Sequence, residues 1–445
     1  MSAPGTRDQL RTGVGLLGVV TFGAGTAIGV SIFTVLAPAA QVAGSGLLIS
    51  AVLAATPMVF FAVAYAFLAS ALPKSGASYE WPRTFIHPQV GFLVSWLRIL
   101  SNIGALTVLT TVLLSYLNMA ISLPVKPTIF IILVAVFGLN YVGVHLAAKV
   151  QTVLMLTLLA VLGFFVITGL PVTSHDLVGP LLAKGWPAIF AAVPLMISLF
   201  LGIEAAVEIG EEVRDPKKTI PRGITLAIIL TAAVYLLVAG TALALLGPEK
   251  LAASAAPLLE AAEIPLGKWA TFLILGAASV SIFKSLNVLA LTFSRALFAM
   301  GRSGALPRFL GRIHPRYGTP HVAVVAGFVS AAPGLFMPDS LVFLLLAVNI
   351  PTMLKYMACS FCAVKVVQNH PDITAQAGLK LGKKTVTFVG YGGVLLAAGI
   401  IIAGLGADWR PYALVLCWLL AGILYWIIWG AKSSGQLSDE TEDLV

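Results

Sequence analysis

The sequence predicts an all-α polytopic membrane protein with twelve transmembrane helices. Three observations predict it. Of 445 residues, 59% are hydrophobic and only 10% are charged, whereas a soluble domain carries roughly 25% charged residues. The mean hydropathy is +0.99. Apolar stretches long enough to cross the hydrocarbon, which takes about 20 residues, recur twelve times. A chain this apolar cannot cover itself with polar surface in water, so lipid is its solvent. The formal charge of +9 does not imply nucleic acid, because cytoplasmic loops of membrane proteins carry an excess of Lys and Arg.

The stretches fall at 13–40, 46–72, 89–121, 127–144, 150–171, 186–210, 223–247, 267–300, 320–337, 340–364, 386–406 and 411–430. The first is far longer than a signal-peptide core and eleven more follow, so it reads as a retained helix. With the N-terminus in the cytoplasm, 18 Lys and Arg fall on the cytoplasmic side. Only Lys126, Lys184, Lys250, Lys268 and Arg410 fall on the other. This asymmetry puts both termini in the cytoplasm, with the chain in the plasma membrane (the inner membrane of a bacterium). The acidic tail after Lys432 reads as disordered.

Four basic residues remain inside stretches: Arg98, Lys284, Arg295 and Lys355. Intramembrane charges are costly and are functional candidates by default. Arg295 and Lys355 are expected to snorkel toward the cytoplasm. Glu208, Glu211 and Glu212 lie beside Arg214 and Lys217 and are expected to form a solvated surface network. Cys359 and Cys362 have no accompanying Cys or His pair and read as packing thiols, not as a metal or redox site. No histidine joins a metal-ligand set, and neither a HExxH motif nor a phosphate loop is present. No cofactor is expected, and nothing points to an enzyme.

Two stretches carry breaks. The first reads GAGTAIGVSIF from Gly23 to Phe33, with Gly23, Gly25, Gly29 and Ser31 at mid-membrane depth. Gly25 and Gly29 fit a small-xxx-small packing face. They fit equally an interrupted helix whose freed backbone lines a cavity. The sixth stretch supplies the second half of a pattern: Pro194, then Ser198-Leu199-Phe200-Leu201-Gly202, then Glu204. Transporters built from inverted repeats place discontinuous helices at corresponding positions of their halves, and irregular backbone survives in lipid only where it is buried or faces water. The matching positions favour a binding site over a packing face.

Three segments carry a family resemblance. GTAIGVSIF resembles the G-x-x-I-G-x-G-I-F signature of the amino acid–polyamine–organocation superfamily. FLGIEAAVEIGEEVRDPKKTIPRG, from Phe200 to Gly223, resembles its F-x-G-[FV]-E…EE-[VL]-x-[ND]-P-x-[RK]-x-[IV]-P block. SRALFAMGRSGALPRFLGRIHPRYGTP, from Ser294 to Pro320, resembles S-R-x-[LF]-F-A-x-x-R-x-G-x-[LF]-P…GTP. The resemblance implies a LeuT-type five-plus-five inverted repeat with two added helices. The divisions would be a segment 1–12, repeats 13–171 and 186–364, a helix pair 386–430 and a tail 431–445. There are departures. Ser31 replaces the third small residue of the signature, Ser198 and Leu289 stand where several members have Trp, and Leu158 stands where many have Lys.

What the resemblance implies about the site follows from helix-end physics. Unwinding of the first stretch would expose the N–H groups of Val30, Ser31 and Ile32 at the start of a half-helix, beside Gly29, which suits a carboxylate. Carbonyls near Ala27 and from Ser198 to Leu201, beside Gly202, would accept from an ammonium. Ser101, Asn102, Ser198, Phe200 and Leu289 would select the side chain. No acid lies among them, which favours a neutral amino acid. Arg98 and Glu204 align with an aromatic and a Glu that close the cytoplasmic side of a related exchanger, and an ion pair between them is expected, as gate or as strut. Lys284, with Ser281 and Ser285, stands at the position of a cation held in sodium-coupled relatives. It would replace sodium there, and its proton would couple to movement of the substrate. The implied activity is sodium-independent, proton-coupled secondary transport of an amino acid. An obligate exchanger and a solute sensor on the same fold are the alternatives. The oligomeric state is not legible.

Overall fold

The computed structural model describes residues 10, 12–29, 31–118, 122–331, 341–404 and 409–430. Among these, helices follow one another with no strand between them. Isolated backbone bridges join Val14 to Val213 and Ser75 to Ile209. The first stretch forms α1 (Leu16–Ala27), α2 (Ser31–Thr34) and α3 (Leu36–Ala43), and α4 (Leu47–Ala71) returns across the bilayer. A short α5 (Ala77–Phe85) leads into α6 (Pro88–Asn118), then α7 (Val125–Val142) and α8 (Val144–Gly169). After α9 (His175–Val178) comes α10 (Gly185–Ile197), then the kinked α11 (Pro216–Ala253), α12 (Pro257–Leu266) and α13 (Trp269–Arg302). The chain ends with α14 (His321–Ala331), α15 (Leu341–Asn369), α16 (Pro371–Gln376), α17 (Lys383–Gly404) and α18 (Arg410–Tyr425). Among the described residues, ten helical segments are long and apolar enough to cross a membrane. The shorter apolar helices α10 and α14 stand in the sixth and ninth stretches. The end of the ninth stretch, Val30 and the acidic tail lie outside the described residues.

The helices are hydrophobic nearly all round, as lipid-solvated helices are. Ile167, Phe272, Phe388 and Leu395 are exposed on the outer faces. The interior is built around α1, which packs against α8, α11, α13 and the 3₁₀ segment Ile203–Glu208. α6 lies against α13 and α15, and α17 covers α15. Trp96 of α6 and Trp418 of α18 stack with centroids 4.9 Å apart. Each indole N–H donates to the other residue's carbonyl, at 2.9 and 2.8 Å, so both polar handles are satisfied inside an apolar contact. Cys359 and Cys362 are buried as packing thiols, while Cys417 is exposed.

The charges after the sixth stretch do not form the expected solvated network. Glu212 and Arg295 are both fully buried, and Arg295 donates Nε to Oε1 at 2.8 Å and an Nη to Oε2 at 3.0 Å. Arg295 therefore does not snorkel: a two-point carboxylate contact satisfies its planar fork in place. Glu208 is also buried and accepts from Ser78 Oγ and from Ser78 N, the latter at 3.3 Å. Glu211 alone keeps partial exposure, paired with Arg302 at 2.9 Å. The reason is chain path. The segment after Glu208 folds back beneath the helix ends and is pinned there, with Gly13 N and Val14 N donating to Glu212 O and Arg214 N donating to Val14 O.

Candidate functional site

The first stretch is helical to Ala27, breaks at Ile28 and Gly29, and resumes at Ser31. The sixth is helical only to Ile197, then turns through Ser198–Gly202 into the 3₁₀ segment Ile203–Glu208. Both breaks were expected, but the second replaces the last 13 residues of the predicted helix. Gly202 is what permits the second one: its φ is +97°, and a Cβ there would stand 2.2 Å from Thr26 Cγ2 of α1. The two breaks touch directly. Ser31 Oγ donates to Ser198 O at 3.4 Å.

Lys284 of α13 is fully buried and turns its ammonium onto the first break. Nζ donates to the carbonyls of Gly25 and Ile28, the latter at 2.7 Å. Ser281 Oγ also donates to Ile28 O, at 3.1 Å, and Ser285 Oγ donates back to Ser281 O. Ser285 Oγ would stand 3.0 Å from a Cβ on Gly29. Lys284, Ser281, Ser285 and Gly29 thus meet at one place. Helix unwinding leaves carbonyls without intrahelical donors, and here a lysine and a serine supply them.

Other expected residues fall differently. Ala27 O is not free: it accepts from Tyr235 Oη at 2.5 Å and from Gly29 N at 2.7 Å. Phe200 is buried with its ring edge-on to Tyr235, and Ile32 is buried. Ser101 Oγ is taken up by Val348 O at 3.0 Å. Ser198, Leu201, Gly202 and Leu289 are half-buried. Asn102 is buried, and its amide nitrogen has no partner.

The expected Arg98–Glu204 ion pair is absent. Glu204 pairs instead with Lys355 of α15, Nζ to Oε1 at 2.5 Å, and accepts from Tyr356 Oη at 2.5 Å. Lys355 is 1% exposed, so it does not snorkel. Its ammonium also lies 4.8 Å from the Tyr356 ring centroid and 5.8 Å from that of Tyr65, a cation–π arrangement. Tyr356 Oη receives the N–H of Gly202 at 3.3 Å, tying this cluster to the second break. Arg98 is half-buried and makes no hydrogen bond or ion pair with any described residue.

Sequence reasoning missed Tyr235, Lys355 and Tyr356 as site residues. A lone tyrosine in the aliphatic run of the seventh stretch was a usable signal for Tyr235, since a buried hydroxyl needs a partner. The adjacent Lys355-Tyr356 pair was another. Beneath α1, Gln151 Nε2 donates to Thr21 O at 3.2 Å, and Gln151 Oε1 accepts from Asn287 Nδ2 at 3.2 Å. No cluster of three or more His, Cys, Asp or Glu that could hold a metal occurs among the described residues.

Residues 14–421 match the family described as amino acid permease. The chain is 36% identical to an uncharacterized transporter of Mycobacterium tuberculosis over 329 residues, 73% of this chain and 74% of the relative. It is 26% identical to a branched-chain amino acid permease of Bacillus subtilis, over 98% of this chain and 96% of the relative. It is 24% identical to a methylthioribose transporter of the same organism, again over 98% and 96%. With two interrupted helices that touch at Ser31 and Ser198, and with the match running nearly end to end, the chain belongs to the amino acid permease family of the amino acid–polyamine–organocation superfamily.

Proposed function

We propose that this protein is a secondary active transporter of amino acids that works by alternating access without sodium. Residues 13–171 and 186–364 act as two five-helix repeats of opposite sense, each opening with an interrupted helix. The charge asymmetry of the loops supports a plasma-membrane setting with both termini in the cytoplasm. The permease names of the relatives support an amino acid as the substrate.

The observation that carries the reading is the Lys284 ammonium on the Gly25 and Ile28 carbonyls. Carbonyls freed by a helix break form a site of partial negative charge, the kind that coordinates sodium in transporters of this architecture. A fixed ammonium fills that role without an ion. Protonated, it ties α13 to both carbonyls. Deprotonated, the amine has lost its charge and donates more weakly, so the tie to the first break loosens. Proton movement is thereby linked to the packing of the helix that carries the substrate. The α-amino and carboxylate groups of the substrate are met by backbone at the breaks, Ser31 and Ile32 N–H on one side and carbonyls of Ser198–Leu201 on the other. Glu204 is engaged by Lys355 and Tyr356, so it does not offer a counter-charge, and a cationic side chain is disfavoured.

Uptake of labelled amino acids into proteoliposomes tests this reading. Uptake should be unchanged when sodium is replaced by choline, and an inward proton gradient should accelerate it. Sodium-dependent uptake would remove the lysine-for-cation assignment.

A further inference from the structure

We infer that Arg98 and Asn102 form the subsite for the substrate's side chain, and that this side chain ends in a carboxylate, making the substrate an acidic α-amino acid. The inference rests on the amino acid reading above and names the substrate class within it.

Arg98 and Asn102 are four apart on α6 and so share one face. Tyr116 lies five turns further along that same face, and its ring meets Phe33, just past the first break, with centroids 6.3 Å apart. At the other end, Arg98 lies within electrostatic reach of Glu204, Lys355 and Tyr356. Tyr356 holds the Gly202 N–H of the second break. The Arg98 and Asn102 end of this face therefore adjoins the Glu204–Tyr356 cluster that holds the second break.

Both residues lack acceptors. The amide nitrogen of Asn102 is buried and unpaired, and the Arg98 guanidinium has no hydrogen-bonded or ion-paired partner among the described residues. The nearby carboxylates are committed elsewhere: Glu204 to Lys355 and Tyr356, Glu208 to Ser78, Glu212 to Arg295. Lys284 is satisfied by backbone carbonyls. Arg98 is thus left as a cation with no carboxylate bonded to it, since Glu204 within its reach is already taken by Lys355 and Tyr356, and unpaired polar groups at membrane depth are costly.

Candidate side chains can be sorted by what they leave behind. An aliphatic group leaves both donors unpaired. A cationic group adds repulsion. An amide answers Asn102 but leaves the guanidinium charge unbalanced. A carboxylate supplies two acceptor oxygens and one negative charge, the match a guanidinium fork takes best.

The test is uptake of labelled glutamate by the full-length protein in proteoliposomes, with unlabelled aspartate, glutamine, leucine and lysine as competitors. Aspartate should compete at least ten-fold more strongly than the other three. Arg98→Gln should lower glutamate uptake at least ten-fold and shift preference toward glutamine, whereas Arg98→Lys should keep the acidic preference. Asn102→Leu, which removes the amide alone, should weaken aspartate competition more than leucine competition, and it stands as the second variant if Arg98→Gln does not fold. Leucine or glutamine taken up as well as glutamate would overturn the subsite while leaving the amino acid reading intact. An Arg98→Gln protein that lowers uptake of every amino acid by the same factor would also overturn it. Uptake of none of these amino acids would overturn both.

Discussion

Two buried lysines sit near the two helix breaks and are stabilised in opposite ways. Lys284 faces only neutral carbonyls at the first break. Lys355 faces a carboxylate and the rings of Tyr65 and Tyr356 near the second. Neutral carbonyls hold an ammonium but do not require one, which is what the proposed proton coupling asks of Lys284. A buried carboxylate requires a counter-charge, so Lys355 and Glu204 fix each other. The first arrangement suits a moving part and the second a fixed joint.

The largest effect expected from this contrast is on stability. Lys355→Met leaves Glu204 buried without a cation and should cost about 3–5 kcal/mol, while the Glu204→Gln/Lys355→Met double variant should regain most of it. Thermal unfolding in detergent measures both. A Lys355→Met protein as stable as wild type would erase the distinction between the two lysines. Next comes Lys284→Ala. It should reduce transport about 100-fold, roughly 2.7 kcal/mol of barrier, or abolish its pH dependence, with a smaller change in unfolding temperature. Unchanged uptake across pH would make Lys284 a strut as well.

Smaller effects probe the second break and its surroundings. Gly202→Ala places a side chain in the left-handed region and against Thr26, which should cost about 1–3 kcal/mol. Full stability in that variant would mean the turn has another solution. Smallest is Arg302→Gln, which frees Glu211. Burial works against the Glu211 charge, but the hydrogen bonds and charge of Arg302 outweigh it and hold the carboxyl below its usual value. A depressed value in the folded state means the pair contributes above the ordinary carboxylate range near about 4.3. That contribution fades as pH falls through the depressed value. The pair is partly exposed, so the loss at neutral pH should be about 0.5 kcal/mol, seen as a slightly smaller difference in melting temperature between pH 7 and pH 4.

The sequence made some of this visible. The helix breaks were legible because Gly and Ser at membrane depth have few other uses, and Lys284 was legible because Ser281 and Ser285 flank it on one stretch. The partner of Glu204 was not. Two cations, Arg98 and Lys355, sit at comparable depths on different helices, and which one reaches the carboxylate is decided by packing of segments over 100 residues apart. Glu208 and Glu212 were misread for a related reason. A run of charges next to Asp-Pro-Lys-Lys reads as loop surface, and only the path of the chain beneath α1 and α5 takes it indoors. Tyr235 illustrates a third limit, since a tyrosine in an apolar run announces a polar contact without saying which carbonyl it will find.

One residue stitches three parts of this molecule together. The backbone carbonyl of Glu212 receives two N–H groups from the chain just before α1, and its carboxylate grips Arg295 of α13. Mechanically this is a knot with three cords. The end of α1 that carries Leu16 cannot swing away from the sixth stretch by degrees, because loosening one cord leaves the others taut. Under the proposed alternating access, opening at that end requires these contacts of Glu212 to be broken. A bulky fusion placed ahead of Leu10 would pull on the first cord, whereas one placed after Gly430 would not.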